Sequence, residues 1–368
     1  MKVPQKDYDP DSFLQYVLDH WDEMEHEEGS REELKAICVL TSRLDWVESF
    51  LIQGMKNVKQ LGEMFEITLP YIDRFEIRKD ATYYAHYNHE RNLIIFYTTI
   101  DLTEGFKKTA EKIINRTPNL WNLWIRPALF DSMESLILAG HPEMQISYFS
   151  ASRRFSSLIP SQIRPSFDRS IQYRGMDGSE TLREFKYYYG VLPTVVEYTM
   201  GDIVLRVNGE GIFTLKTANR QTVDLFLELL DEIMDETLSL MKTAEELRFS
   251  SEELKTERKI LAIPCVEPGE IQMETKLTMA DAKEILKSME EEGFSAIDAL
   301  IDEGSLSLSA TVMDSNKGSV FDISASESRI TLIPKYRTSF DSFLRFFAFI
   351  TENIDQSATF KKFWDTYE

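Results

Sequence analysis

Only two cysteines, Cys38 and Cys265, occur in the 368 residues. Two thiols cannot build the disulfide framework of a small secreted fold, and they form no C-x-x-C pair, so a reducing, cytoplasmic setting is expected. The opening residues, Met1 to Asp9, lack the apolar core of a signal peptide. No run approaches the roughly 18 apolar residues that span a bilayer, so no membrane partner is expected. Positive charge is also scarce. Lys+Arg number 41 against 62 Asp+Glu, a net charge of −21, which argues against a generally basic nucleic-acid coat.

Catalytic signatures are missing as well. No Gly-Lys pair exists, so the phosphate-binding pattern G-x-x-x-x-G-K-[ST] is absent. The nearest glycine cluster, Gly209-Glu-Gly211, reads as a hairpin turn between two apolar strands rather than a dinucleotide fingerprint. No G-x-S-x-G elbow is found. His89-Glu90 lacks the second histidine of a zincin helix, and the spacing of His86 and His89 sends their rings to opposite faces of a strand. His20 and His26, among Glu23, Glu25, Glu27 and Glu28, read as part of a solvated acidic face. No cofactor is implied, and the chain leans away from being an enzyme.

What is present is 43% apolar and 28% charged residues, a globular profile, with a recurring pattern inside it. Three segments run strand, polar turn, strand, amphipathic helix. The first comprises Tyr83 to Tyr87, Leu93 to Tyr97 and a helix from Asp101 to Asn115. The second comprises Asp202 to Val207, Ile212 to Lys216 and a helix from Gln221 past Met234. The third comprises Ser319 to Ile323, Arg329 to Ile333 and a helix from Ser339 to Ile354. Ile94, Ile212 and Ile330 follow their turns at a constant spacing of 118 residues. A strand, a helix and a further strand precede each unit more loosely: Phe167 to Tyr173, Ser179 to Tyr189 and Thr194 to Thr199 in the second, for example.

The expected fold class is therefore α+β: three tandem related modules of about 118 residues, each roughly β-α-β-β-β-α, with an antiparallel sheet and helices on one face. This element order resembles that of each half of the TATA-binding-protein-like fold. The expected organisation is an acidic helical segment over 1–30, module 1 with an extra helix over 31–143, and module 2 over 144–248. A charged helical connector over 249–262 and module 3 over 263–368 complete it. Trp121 and Trp124, ahead of Pro127, read as packing.

Charge is uneven along this organisation. Residues 1–30 hold nine acids against Lys2 and Lys6, whereas 151–190 carry six arginines and a lysine against four acids. Arg153, Arg154, Arg164, Arg169, Arg174, Arg183 and Lys186 are interleaved with aromatics that include Phe155, Tyr173 and Tyr188. Arginine forks suit phosphates and tyrosines suit bases, so these residues form a candidate ligand or nucleic-acid strip. The same residue types mark protein interface hot spots, and surplus acids nearby could equally absorb the arginines.

Three functions follow as expectations. The first is an intracellular binding or adaptor protein with a protein partner. The second is a nucleic-acid or phosphoanion binder using 151–190, as a subunit of a larger assembly. The third is a metal-dependent hydrolase or nuclease, for which Asp73, Glu76 and Lys79 have suitable chemistry but no distinctive spacing.

Overall fold

The computed structural model describes residues 1–24, 33–42, 47, 49–55, 57–154, 157, 159–217, 219–255, 260–302, 307–336 and 338–363. They form two compact units. The first comprises Met1–Ser152, Ser170–Lys186 and Val191–Asp235; the second comprises Arg153–Arg169, Tyr187–Gly190 and Glu236–Glu368. The class is α+β with antiparallel sheets.

The first unit opens with helix α1 (Pro10–Asp19), started by an Asp9/Ser12 capping box with Pro10 in its first turn. Strand β1 (Leu34–Thr41) follows, then a helical turn (Phe50–Gly54) and strands β2 (Val58–Leu61), β3 (Met64–Ile72), β4 (Arg78–Asn88) and β5 (Leu93–Thr98). A second helical turn (Leu102–Phe106), α2 (Ala110–Arg116) and β6 (Leu120–Asn122) complete the first segment. Next come α3 (Leu129–Gly140), β7 (Gln145–Arg153), β8 (Arg169–Arg174), α4 (Gly178–Tyr189), β9 (Leu192–Met200), β10 (Ile203–Asn208) and β11 (Ile212–Leu215). Helix α5 (Arg220–Glu246) leads into the second unit.

That unit holds the ribbon β12 (Arg248–Lys255) and β13 (Ile260–Glu267), then β14 (Gly269–Gln272) and α6 (Met279–Glu291). Strands β15 (Phe294–Asp302), β16 (Ser307–Asp314), β17 (Ser319–Ala325) and β18 (Arg329–Pro334), helix α7 (Phe340–Asn353) and β19 (Thr359–Lys362) finish it.

Sheet order recurs in the first and last segments and not in the middle one, so three like modules are not confirmed. The first segment runs β2-β3-β4-β5-β1-β6, and the last runs β15-β16-β17-β18-β14-β19, the same order in corresponding strands. Four strands lie between the helices rather than the expected three, because Val58–Leu61 and its counterpart Phe294–Asp302 are also strands. The middle segment departs from this order. Its strand β11 pairs with β1, and β8 lies at the far edge beside β7. Ile94 and Ile212 therefore flank the same strand, opposite Val39 and Ile37, whereas Ile330 faces Ile271 of β14. The reason is strand length. Three-residue β6 covers only Val39 to Thr41 of β1, leaving Leu34 to Ile37 to pair with β11, whereas β19 covers all four residues of β14.

Helices also cover both faces of the first sheet rather than one. On one face, Ile37, Val39, Tyr83, Ile94 and Phe96 pack against Phe50, Leu51, Phe106, Ala110 and Ile114. On the other, Phe13 of α1 lies 5.2 Å from the Tyr84 ring and 5.7 Å from that of Tyr97. The acidic N-terminal segment is thus anchored by Phe13, Leu14 and Val17 over its described part; His26 and its neighbouring acids lie outside the described residues. The expected helical connector is instead the ribbon β12–β13 from Arg248 onward. Ser250 and Ser251 are weak helix formers, and the apolar run Ile260 to Val266, with β-branched Ile260, Ile263 and Val266, offers a strand to pair with.

The second unit holds a fully buried ion pair. Lys317 Nζ lies 3.2 Å from Asp341 Oδ2, with side chains 1% and 0% exposed. Beside it Arg345 reaches buried Asp314 and donates to the Glu292 carbonyl at 2.9 Å. Burial pulls the Lys317 pKa down and Asp341 opposes it. Lys317→Met would leave Asp341 an uncompensated buried charge and is expected to cost about 3–5 kcal/mol in chemical denaturation, with Lys317→Met/Asp341→Leu costing clearly less.

His86 is buried on β4, stacked on Tyr97 at 5.8 Å, and burial pushes its pKa down to about 4. The unfolded chain, titrating near 6.5, then binds the extra proton between these values. Stability is whole above pH 6.5 and falls as pH drops toward 4. His86→Phe should reduce the loss between about pH 7 and pH 5 by about 2 kcal/mol, read from urea midpoints at both values.

Candidate binding surfaces

The residues singled out from 151–190 divide between the units. Arg153, Arg154, Arg164, Arg169 and Tyr188 belong to the second; Tyr173, Arg174, Arg183 and Lys186 belong to the first. Phe155 lies outside the described residues.

In the second unit, Arg153 is a clamp rather than an exposed cation. It is 6% exposed and donates to the carbonyls of Ser157 at 2.9 Å and Gly190 at 3.4 Å, and also to that of Ile159. Gly190 has φ +61°, and a Cβ there would strike the Pro160 carbonyl and the Arg153 guanidinium. The Tyr188 carbonyl accepts the Gln162 and Ile163 amides, each at 3.0 Å. Arg169 donates to the Ile163 carbonyl at 2.9 Å and lies 4.5 Å from the centre of the Tyr189 ring. Arg154 pairs with Glu291 and Glu292. The loop so tied holds out Ile163 and Phe167, 39% and 62% exposed, together with exposed Arg164, and the last turn of α4 holds out Tyr187 and Tyr188, 63% and 43% exposed.

In the first unit, Arg183 pairs with Glu134 at 3.1 Å and Lys186 with Asp131 at 2.6 Å, both acids on α3. The Tyr173 hydroxyl donates to Asp177, which holds that carboxyl below its ordinary range, and its ring stacks on Phe149 at 5.4 Å. Arg174 is exposed and joins a cluster that the sequence reading did not nominate. Its guanidinium carbon is 5.8 Å from the centre of the Tyr148 ring, and that of Arg206 is 4.9 Å from it. Glu197 Oε2 accepts Arg206 Nε at 3.1 Å, Arg206 Nη2 at 2.8 Å and Lys216 Nζ at 2.8 Å, while Oε1 accepts Ser147 Oγ at 3.0 Å. Burial works to raise the Glu197 pKa, but the Lys216 hydrogen bond and the Arg206 charge hold it below the usual range.

These residues share one sheet face. Tyr148 and Glu197 oppose each other across β7 and β9, and Glu197 faces Arg206 across β9 and β10. Their neighbours Phe149 and Phe213 point the other way, where Phe185 of α4 and Phe226 of α5 meet them. A signal for this was present. With strands ending at Met200 and starting at Ile203, antiparallel pairing sets Glu197 opposite Arg206.

The carboxylates offered for a metal site do not gather into one. Asp73 is buried and accepts the amides of Phe75 and Ile77 at 2.8 and 2.9 Å, pairing with Lys79 at 3.2 Å, whereas Glu76 is exposed. Among the described residues no three His, Cys, Asp or Glu side chains converge as a metal site, and no helix is long and apolar enough to cross a membrane.

If Arg153 holds the exposed loop, Arg153→Lys, with one point donor in place of a fork, should release it. Exchange of the Gln162 and Ile163 amides is expected to quicken about tenfold or more, with the β9 amides unchanged, in hydrogen-exchange mass spectrometry.

Comparison with known proteins gives relatives without a described activity. Residues 133–207, which include β7 to β9 and all but the last residue of β10, match the AF_0896_M family middle domain. An uncharacterised protein of Archaeoglobus fulgidus is 27% identical over 354 residues, covering 93% of this chain and 94% of the relative. No solved structure matches.

Proposed function

We propose that this is a binding or adaptor protein that docks a protein partner through Ile163, Arg164, Phe167, Tyr187 and Tyr188. The observation that carries this reading is the exposure of four large apolar or aromatic side chains, two on a loop and two on the last turn of α4, where a buried arginine holds the backbone of the loop and of the residue just past the helix. Burying such side chains on association is favourable, and tyrosine and arginine supply much of the energy at interface centres. Holding the loop beforehand lowers the ordering cost of binding.

The other cations of 151–190 support a protein partner over a nucleic acid. Arg154, Arg183 and Lys186 are each matched by a carboxylate, and Arg153 and Arg169 are spent on backbone carbonyls. Little unmatched charge is then left in 151–190 for a phosphate backbone.

A photo-crosslinking residue at Tyr187, compared in cells with one at exposed Lys107, tests the reading. A discrete partner captured from position 187, lost in Phe167→Ser/Tyr188→Ser and absent from position 107, is the expected result. Capture unaffected by the double substitution would remove the loop from consideration.

A further inference from the structure

The sheet face bearing Tyr148, Arg174, Glu197, Arg206 and Lys216 has a charge balance that its internal pairing does not close. Arg206 and Lys216 share one carboxylate, that of Glu197, and Arg174 lies against the Tyr148 ring that Arg206 also meets, in a chain whose net charge is −21. Glu197 engages Arg206 through Nε and Nη2, leaving the Nη1 edge of the fork turned from that carboxylate, and takes one of the donors of Lys216. Arg174 is exposed, with its guanidinium carbon 5.8 Å from the centre of the Tyr148 ring. Arg206 and Lys216 have side chains only 23% exposed, so part of their hydration is already lost. Holding unmatched positive charge in that setting favours an incoming anion.

The cluster is also fixed in place before any ligand arrives. Glu197 is tied on both oxygens, and Ser147 Oγ, which donates to Oε1, lies 2.7 Å from Thr199 Oγ1. The donors come from strands β7 to β11 and from the residue just beyond β11, rather than from mobile loops, so little ordering is needed on binding.

We infer that this face is a phosphate site. It takes a phosphate mono- or diester, with the Arg174 fork, Arg206 Nη1 and Lys216 Nζ as donors and Tyr148 as the surface that spaces the two guanidinium groups. A free phosphoester and a single-stranded nucleic acid present the same group, and binding measurements separate them. The inference is independent of the protein-docking reading, since none of its residues lies on that loop.

The test uses the full chain with inorganic pyrophosphate and AMP by calorimetry, and a labelled oligouridylate by anisotropy, at about 20 mM and about 200 mM NaCl. Two variants accompany the wild type. Arg174→Ala removes an exposed side chain and leaves the fold intact; Glu197→Gln removes the internal anion that competes with the ligand. Binding should weaken about fivefold or more in Arg174→Ala and tighten about threefold or more in Glu197→Gln, a gain that a structural role for Glu197 would not produce. Binding of pyrophosphate or AMP identifies a small phosphoester. Binding of the oligonucleotide alone, with a steep salt slope, identifies a phosphate chain. No binding of any probe at the lower salt, or equal binding by Arg174→Ala and the wild type, overturns the inference.

Discussion

The first unit depends on strand Leu34–Thr41, every residue of which is buried. A strand with no exposed residue must have its backbone hydrogen bonds supplied on both edges, since water cannot supply them. β5 satisfies one edge along its length, while β11 and β6 share the other, end to end. The junction between them is tight: Gly211, at φ +71°, passes so close to the Leu123 carbonyl that a Cβ would collide with it. The Gly211 carbonyl accepts the Cys38 amide at 3.0 Å, and the Cys38 carbonyl accepts that of Leu123 at 2.8 Å. Two segments of the chain are joined into one sheet because one long buried strand needs more partners than its own segment provides.

The second unit solves the corresponding problem locally, with a four-residue strand matched on both edges by its own segment. What stabilises it beyond the apolar core is charge placed inside. Asp314 accepts the amides of the turn that follows it, at 3.0 and 3.3 Å, and receives Arg345 from α7. Asp73 does the same for the turn after β3, accepting two amides of its own loop. Both carboxylates are thus committed to shaping a turn, which is how a residue with suitable chemistry for metal binding comes to hold a backbone bend instead.

Charge is equally decisive on the surface. The density of arginine in 151–190 was legible, and its meaning differed from one residue to the next. Arg153 lies under a loop, Arg154 pairs with an acidic helix end, and Arg174 on the edge strand reaches a tyrosine of the adjacent strand β7. A count of charges along the chain is blind to this, because pairing depends on which carboxylate is adjacent in space. Glu134 and Asp131 sit about fifty residues from the cations they neutralise, on a helix whose packing the arginines themselves do not announce.

By itself the sequence determined the α+β class, the hairpins 83–97, 202–216 and 319–333, the helices after them, and the turn at Asn208 to Gly211. All of these are written in local alternation, turn residues and the 3.6-residue period, which act over a few neighbours. Only the tertiary structure decided which strand each hairpin joins, so that Ile94 and Ile212 meet the same strand and Ile330 another. It also decided that Val58–Leu61 and Phe294–Asp302 are strands, and that Arg206, Lys216 and Tyr148 share a face with Arg174. Strand partners are chosen by the edges left open after every other element has paired, and that is a property of the whole chain rather than of any window within it.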